Sequence, residues 1–308
     1  MSEITEKIII MFVIMGVGVI CGKTGLVTLE QNKGLSSLLL YVVSPVITFL
    51  SYQRDFSRDT ALNLLLVFLL SCVAFVLMIF LANILIGKKR KDRELEILCS
   101  VLSNCAFMGI PVVESIFGSE GIIYLTMYIT VFQLVTWTYG VSLLTGEKSI
   151  LQSLRHLFTP AVISVFLGLI FFFCEIRLPQ IITAPLEMVG EMNTPLAMLT
   201  AGVALAGTSL KGLLAKPGVF YISTLRLVGF PAVCSLLAAF AVKLGAGEIP
   251  AAVTVIAAGC PTAIVNVNFA LKYEKNSAYA AEIFAVTTVL CGVTIPLLLK
   301  FLSLLGVG

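Results

Sequence analysis

Asn104-Cys105-Ala106-Phe107-Met108-Gly109-Ile110-Pro111 and Gly259-Cys260-Pro261-Thr262-Ala263-Ile264-Val265-Asn266 are two polar, proline-bearing interruptions of long apolar stretches. Proline removes a backbone donor and clashes with the preceding turn. In lipid no water replaces the lost partner, so such a break survives only where protein or a water-filled cavity covers the freed groups. Two breaks at corresponding points of two halves point to the substrate site of a secondary carrier.

The composition around them is that of a membrane protein. Of 308 residues, 59% are hydrophobic and 12% charged, against about 25% charged in soluble domains; the mean hydropathy is +1.06. The net charge of +3 comes from loop residues and gives no nucleic-acid footprint. Six of the eight cysteines (Cys72, Cys105, Cys174, Cys234, Cys260 and Cys291) lie in or near apolar runs, with no CxxC pair and the single histidine His156, so they read as packing residues. There is no HExxH, no paired Asp motif and no nucleophile–base arrangement, so an enzyme is not expected.

A span needs about 20 mostly apolar residues. Ten such stretches are expected, at roughly 6–22, 34–53, 61–87, 94–117, 120–145, 158–175, 182–208, 217–243, 249–272 and 277–304. Residues 8–22 lead into further spans and are read as the first helix, not a cleaved leader. Thirteen Lys and Arg residues fall in loops after odd-numbered spans and six on the opposite side. The positive-inside rule then places those loops, above all 88–93, in the cytoplasm and both termini outside.

The halves are related. Val43-Ser44-Pro45 finds a weak echo in Asn193-Thr194-Pro195, and an offset of 155 pairs Cys105 with Cys260, Pro111 with Asn266 and Gly121 with Asn276. Five spans is an odd number, so the second unit sits upside down relative to the first. The expected organisation is a five-helix repeat at 1–146, a cytoplasmic linker at 147–157 and an inverted repeat at 158–308.

Four motifs carry a family resemblance. Leu102 to Pro111 resembles the fourth-span motif of the auxin efflux carriers, the plant PIN carriers among them. Pro261 to Tyr273 resembles the ninth span, Val43 to Ser51 the second and Leu225 to Val233 the eighth. The likeness covers nearly the whole chain, apart from the long central loop of many plant members. It implies an all-α polytopic membrane protein of ten transmembrane helices in two inverted five-helix repeats. The first two helices of each repeat would form a scaffold that can dimerise, the other three a transport domain. Helices 4 and 9 would be broken and cross where an anionic carboxylate binds, with elevator-like movement. Bacterial relatives are associated with malate, malonate and similar carboxylates. The chain departs from the plant pattern at Asn266, where plant members usually carry a second proline.

The expected substrate contacts are Asn104, Gly109, Pro111, Pro261, Thr262, Asn266, Asn268 and Gln133. Asn104 matches the family asparagine before the fourth-span break, and an amide can serve a carboxylate without burying a charge; the alternative is an amide holding two helices together. Pro111 and Pro261 would end half-helices whose free N–H groups favour an anion, or simply kink them. Asn266, Asn268 and Gln133 are costly in an apolar run unless they face a partner or cavity. Arg226, Glu114 and Glu282 are the coupling or gating candidates. Arg226 lies nine residues into its span, about 13 Å along a helix, and needs a partner, a cavity or snorkelling toward the cytoplasm: it either attracts anionic substrate at the cytoplasmic mouth or pairs with backbone carbonyls or an acid such as Glu282. Gly16, Gly18 and Gly22 would permit close helix packing.

The expected function is a secondary transporter of small organic anions in a bacterial-type plasma membrane, with no cofactor and with facilitated diffusion down the membrane potential, H+ symport and Na+ symport all open as driving force. A sodium-coupled symporter of the bile-acid type and a ligand receptor that moves nothing are the alternatives.

Overall fold

The computed structural model describes residues 3–146, 160–207 and 216–307. The expected linker at 147–157, with Lys148, Arg155 and His156, and the loop residue Lys211 lie outside them. Apart from one isolated β-bridge, the regular structure of the described residues is helical. The first half comprises α1 (Glu3–Thr24), α2 (Leu29–Leu38), α3 (Ser44–Ser51), α4 (Arg58–Leu85), α5 (Arg93–Val101), α6 (Ile110–Val135) and α7 (Val141–Thr145). The second comprises α8 (Pro160–Phe173), α9 (Gln180–Glu191), α10 (Asn193–Ala206), α11 (Pro217–Thr224), α12 (Phe230–Lys243), α13 (Glu248–Gly259), α14 (Ile264–Lys272) and α15 (Ser277–Leu304).

Among the described residues, five helical runs are long and apolar enough to cross a bilayer: Leu29–Ser51, Arg58–Leu85, Cys105–Thr145, Pro217–Lys243 and Ser277–Leu304. Ile9–Thr24, Pro160–Phe173 and Glu248–Gly259 are shorter apolar helices. The surface of α4 explains why so greasy a chain is stable. Leu62, Leu65, Leu69, Val73, Val76, Phe80 and Ile84 recur at helical spacing and are all exposed, while Val67, Ala74, Met78 and Ala82 are buried. A helix that is apolar on its outward face has lipid, not water, as its solvent.

Among the described residues there are four π-helical turns: Leu39–Val43, Cys105–Gly109, Thr136–Gly140 and Leu225–Gly229. All but Thr136–Gly140 are followed two residues later by a proline, at Pro45, Pro111 and Pro231. The ring cannot supply an N–H to the carbonyl four residues back and collides with it. A wider turn relieves both problems without ending the helix. This corrects the expectation for Pro111, which sits inside a continuing helix. The break of that half is Leu102-Ser103-Asn104, just after α5. The turn expected near residue 118 is present as Gly118, at φ 61° and ψ −152°, interrupting α6.

The described residues group into two compact units. The first draws on Met1–Leu65, Ala106–Thr126 and Phe158–Gly207, the second on Leu66–Cys105, Met127–Leu157 and Thr208–Gly308. Each takes residues from both halves of the chain.

In the first unit α1 lies against α10 with backbones in contact. A Cβ on Gly18 would meet the Leu199 carbonyl, one on Gly202 the Met15 carbonyl, and one on Gly22 would fall 2.6 Å from the Ala206 Cβ. Gly16 differs from the expectation, since a Cβ there would meet nothing within 4 Å. Polar bonds join neighbouring helices: Asn32 Nδ2 donates to Thr200 O (3.1 Å) and Ser44 Oγ to Asn193 Oδ1 (3.2 Å). The Tyr52 ring packs on Gly168 of α8, and its hydroxyl pairs with Thr126 Oγ1. The capping box of Thr28 and Gln31 starts α2. In the second unit, helices α5, α13, α14 and α15 carry the candidate site.

Candidate substrate site at two broken helices

The break after α5 and the break between α13 and α14 are both extended, and they pair. Leu102 has ψ 112°, Cys260 ψ 154° and Ala263 ψ 138°. Asn104 N donates to Pro261 O (2.8 Å) and Ala263 N to Leu102 O (2.9 Å), with Ser103 opposite Thr262 in an antiparallel bridge. Pro261 contributes only its carbonyl, so its missing N–H costs nothing here. One hydrogen-bonded crossing thereby solves for both segments the problem each break poses in lipid.

The end of α5 shows how completely the site is built. A helix leaves its last four carbonyls without partners. Here Leu98 O accepts from Leu102 N (2.8 Å) and Asn266 Nδ2 (3.3 Å), and Cys99 O accepts from Thr262 Oγ1 (2.7 Å). Ser100 O and Val101 O both accept from Arg226 Nη1, at 2.9 and 2.7 Å. Asn266 Nδ2 also donates to Thr262 Oγ1 (3.0 Å), and Thr262 N donates to Thr287 Oγ1 (3.2 Å). The α14 start carries no side-chain cap, and of its first N–H groups that of Asn266 donates to Ala263 O (3.1 Å).

Among the expected contacts, the structure brings Asn104, Pro261, Thr262 and Asn266 together, with Arg226 beside them. Thr262, Asn266 and Arg226 are fully buried, whereas Asn104 keeps 5% of its surface. The Asn104 side-chain amide has no hydrogen-bond partner among the described residues, whereas both donors of Asn266 are engaged and its Oδ1 is buried without one.

The other expected residues lie elsewhere. Asn268 is exposed on α14. Gln133 is half-buried and accepts from Trp137 Nε1 (3.1 Å), whose ring packs on Phe269 of α14 at 5.4 Å. Gly109 and Pro111 are buried in the segment that groups with the first unit. So does Glu114, which accepts from Thr194 Oγ1 (3.1 Å). With Gln53, Arg177 and Glu187 it lines a cavity of about 470 Å3 whose lining residues all belong to that unit. Glu282 accepts from Lys216 Nζ (2.5 Å) and so is not the partner of Arg226.

Several contributors went unread in the sequence. Thr287 and Ser103, which contacts the Tyr128 hydroxyl at 3.4 Å, are ordinary residues of apolar runs. Glu96, within the expected fourth span, is 3% exposed. It accepts from Arg90 Nε (2.5 Å), Arg90 Nη2 (2.7 Å) and Tyr279 Oη (2.8 Å). That forked pairing holds the Arg90 guanidinium above its usual range and ties the start of α5 to the start of α15. A charge near the edge of an apolar run was its only signal.

Replacing Thr262 tests the cap. Thr262→Val keeps the shape but leaves Cys99 O and one Asn266 proton unpaired, a cost of about 1–3 kcal/mol. Thermal unfolding of the purified chain should show that loss for Thr262→Val and little for Thr262→Ser. Equal melting of the two would remove the hydroxyl from the account.

A family model described as membrane transport protein matches residues 3–152 and 147–299. The chain belongs to this family. It is the family of the auxin efflux carriers, as the four motifs implied. An uncharacterized transporter of Methanocaldococcus jannaschii is 27% identical over 302 residues, covering 92% of this chain and 94% of its own. An uncharacterized transporter of Methanothermobacter thermautotrophicus is 25% identical over 300 residues, covering 95% and 96%. Membership makes the chain an integral membrane protein of a transporter family, and the crossing is where its substrate chemistry is to be sought.

Proposed function

We propose that this family member is a secondary transporter of small organic anions, carboxylates such as malate, malonate or auxin-like acids. One observation carries the reading: two interrupted helices cross at the Ser103–Thr262 bridge, and beside it stands Asn104, a residue 5% exposed whose side-chain amide makes no hydrogen bond among the described residues. An amide donor and an uncapped helix start suit a carboxylate without a permanent ion pair. The unfilled acceptor Asn266 Oδ1 supports substrates that carry a hydroxyl or N–H donor near the carboxylate.

The wider design belongs to the same proposal. Ten spans form two inverted repeats. Helices of the first unit serve as scaffold and as the contact of a homodimer. The crossing travels with the transport domain in an elevator movement. The basic loop 88–93 faces the cytoplasm and both termini face outward across the plasma membrane. The grouping of residues before 66 with 158–207 supports this division, since those stretches hold the first two expected spans of each half.

The test is uptake of a panel of labelled carboxylates, malate and malonate included, by proteoliposomes under an imposed potential, a proton gradient or a sodium gradient. Saturable uptake, faster for hydroxylated than for plain carboxylates of equal length, is the expected result. Tight binding without flux would replace the transporter by a receptor.

A further inference from the structure

Carriers built on broken helices hold their coupling cation with unwound carbonyls and the C-terminal ends of half-helices. The end of α5 is such a place, and every carbonyl there is taken. Leu98 O, Cys99 O and Leu102 O are held by Asn266, Thr262 and Ala263. Ser100 O and Val101 O are bridged by a single guanidinium nitrogen. Arg226 is fully buried, and no carboxylate pairs with it among the described residues. Its Nε and Nη2 are buried without partners. A guanidinium stays protonated in any protein setting, so the charge is permanent, and it sits at the negative end of the α5 dipole, where a cation is favoured.

We propose that Arg226 is a built-in cation standing where broken-helix carriers bind a mobile one, so that transport by this chain needs no sodium. The inference deepens the transporter reading and rests on it. The side chain does two jobs. Nη1 caps the half-helix and so holds the crossing in shape. The unbalanced charge makes the site electropositive, and an arriving carboxylate becomes its counter-ion. The π-helical turn Leu225–Gly229 carries Arg226, and a local widening of a helix is a common way to place a functional side chain.

Two measurements on the full chain test this. In the first, binding of radioactive 22Na+ is followed with the purified protein at constant ionic strength. Wild type should show no saturable binding. Arg226→Ser, which frees Ser100 O and Val101 O, should acquire it, and Arg226→Lys, which keeps a cation there, should not. In the second, carboxylate uptake is compared with sodium and with choline at fixed potential and pH, and wild type should run at the same rate in both. Saturable 22Na+ binding by wild type, uptake that stops in choline, or a folded Arg226→Ser that binds none would each overturn the proposal. Should Arg226→Ser not fold, wild type and Arg226→Lys still decide it. The binding arm stands apart from transport: a panel with no uptake at all sinks the transporter reading, whereas sodium binding by wild type sinks only this one.

Discussion

Asn104→Ala should lower carboxylate uptake by about 10- to 100-fold, the factor that follows from losing a hydrogen bond of roughly 1.5–3 kcal/mol to a charged group. It should leave expression and melting temperature almost unchanged. The second half of that expectation separates Asn104 from its neighbours. The Asn104 backbone N–H holds Pro261 O at 2.8 Å, and alanine keeps that bond. The side-chain amide holds nothing among the described residues, so its removal orphans no buried group. Asn266→Ala is the contrast, because Asn266 Nδ2 serves both Leu98 O and Thr262 Oγ1, and its loss should lower stability and uptake together. Uptake by Asn104→Ala equal to wild type, with both proteins folded, would move the substrate away from the crossing. Melting and initial rates on the same preparations are the measurements.

The contrast between those two asparagines was not legible in the sequence. Both stand in apolar runs near a proline, and both read as candidates for the same contact. What separates them is the end of α5, four carbonyls that need donors, and nothing in the local sequence of α14 announces that a distant helix ends there. Arg226 repeats the lesson. Its depth announced the need for a partner, and beside attraction of substrate the structural alternatives were carbonyls or an acid. The carbonyls of Ser100 and Val101 took it, while Glu282 went to Lys216. Pro261 gave a true reading of its break because it stands in it. Pro111 misdirected by several residues, since a π-helical turn absorbs it while the unmarked Leu102-Ser103-Asn104 opens the helix. Apolar composition and proline spacing thus located the crossing to within a couple of turns. The division of labour inside it depends on which side chain reaches which chain end, and that is a property of packing.

Gly202→Ala and Gly18→Ala should be the most destabilising single-methyl changes in the first unit, each costing about 3 kcal/mol, the upper end of overpacking penalties. A Cβ at either glycine runs into the backbone of the facing helix, at the Met15 carbonyl for Gly202 and the Leu199 carbonyl for Gly18. A flexible side chain could swing aside, but a helix carbonyl can yield only if α1 and α10 move apart along their length. In lipid no hydrophobic force restores a separated pair, because association there comes from close packing and polar bonds. Here those bonds include Asn32 Nδ2 to Thr200 O, from the neighbouring α2 to α10. Gly16 is the control within the same helix, since its Cβ would meet nothing within 4 Å. Gly16→Ala should therefore be neutral or raise stability by about 0.5–1 kcal/mol through helix propensity alone. Thermal unfolding in one detergent should then separate Gly202→Ala from Gly16→Ala by roughly 5–10 °C. Three proteins that melt together would mean that α1 and α10 do not hold the first unit by backbone contact, and that the small residues of the first span serve some other end.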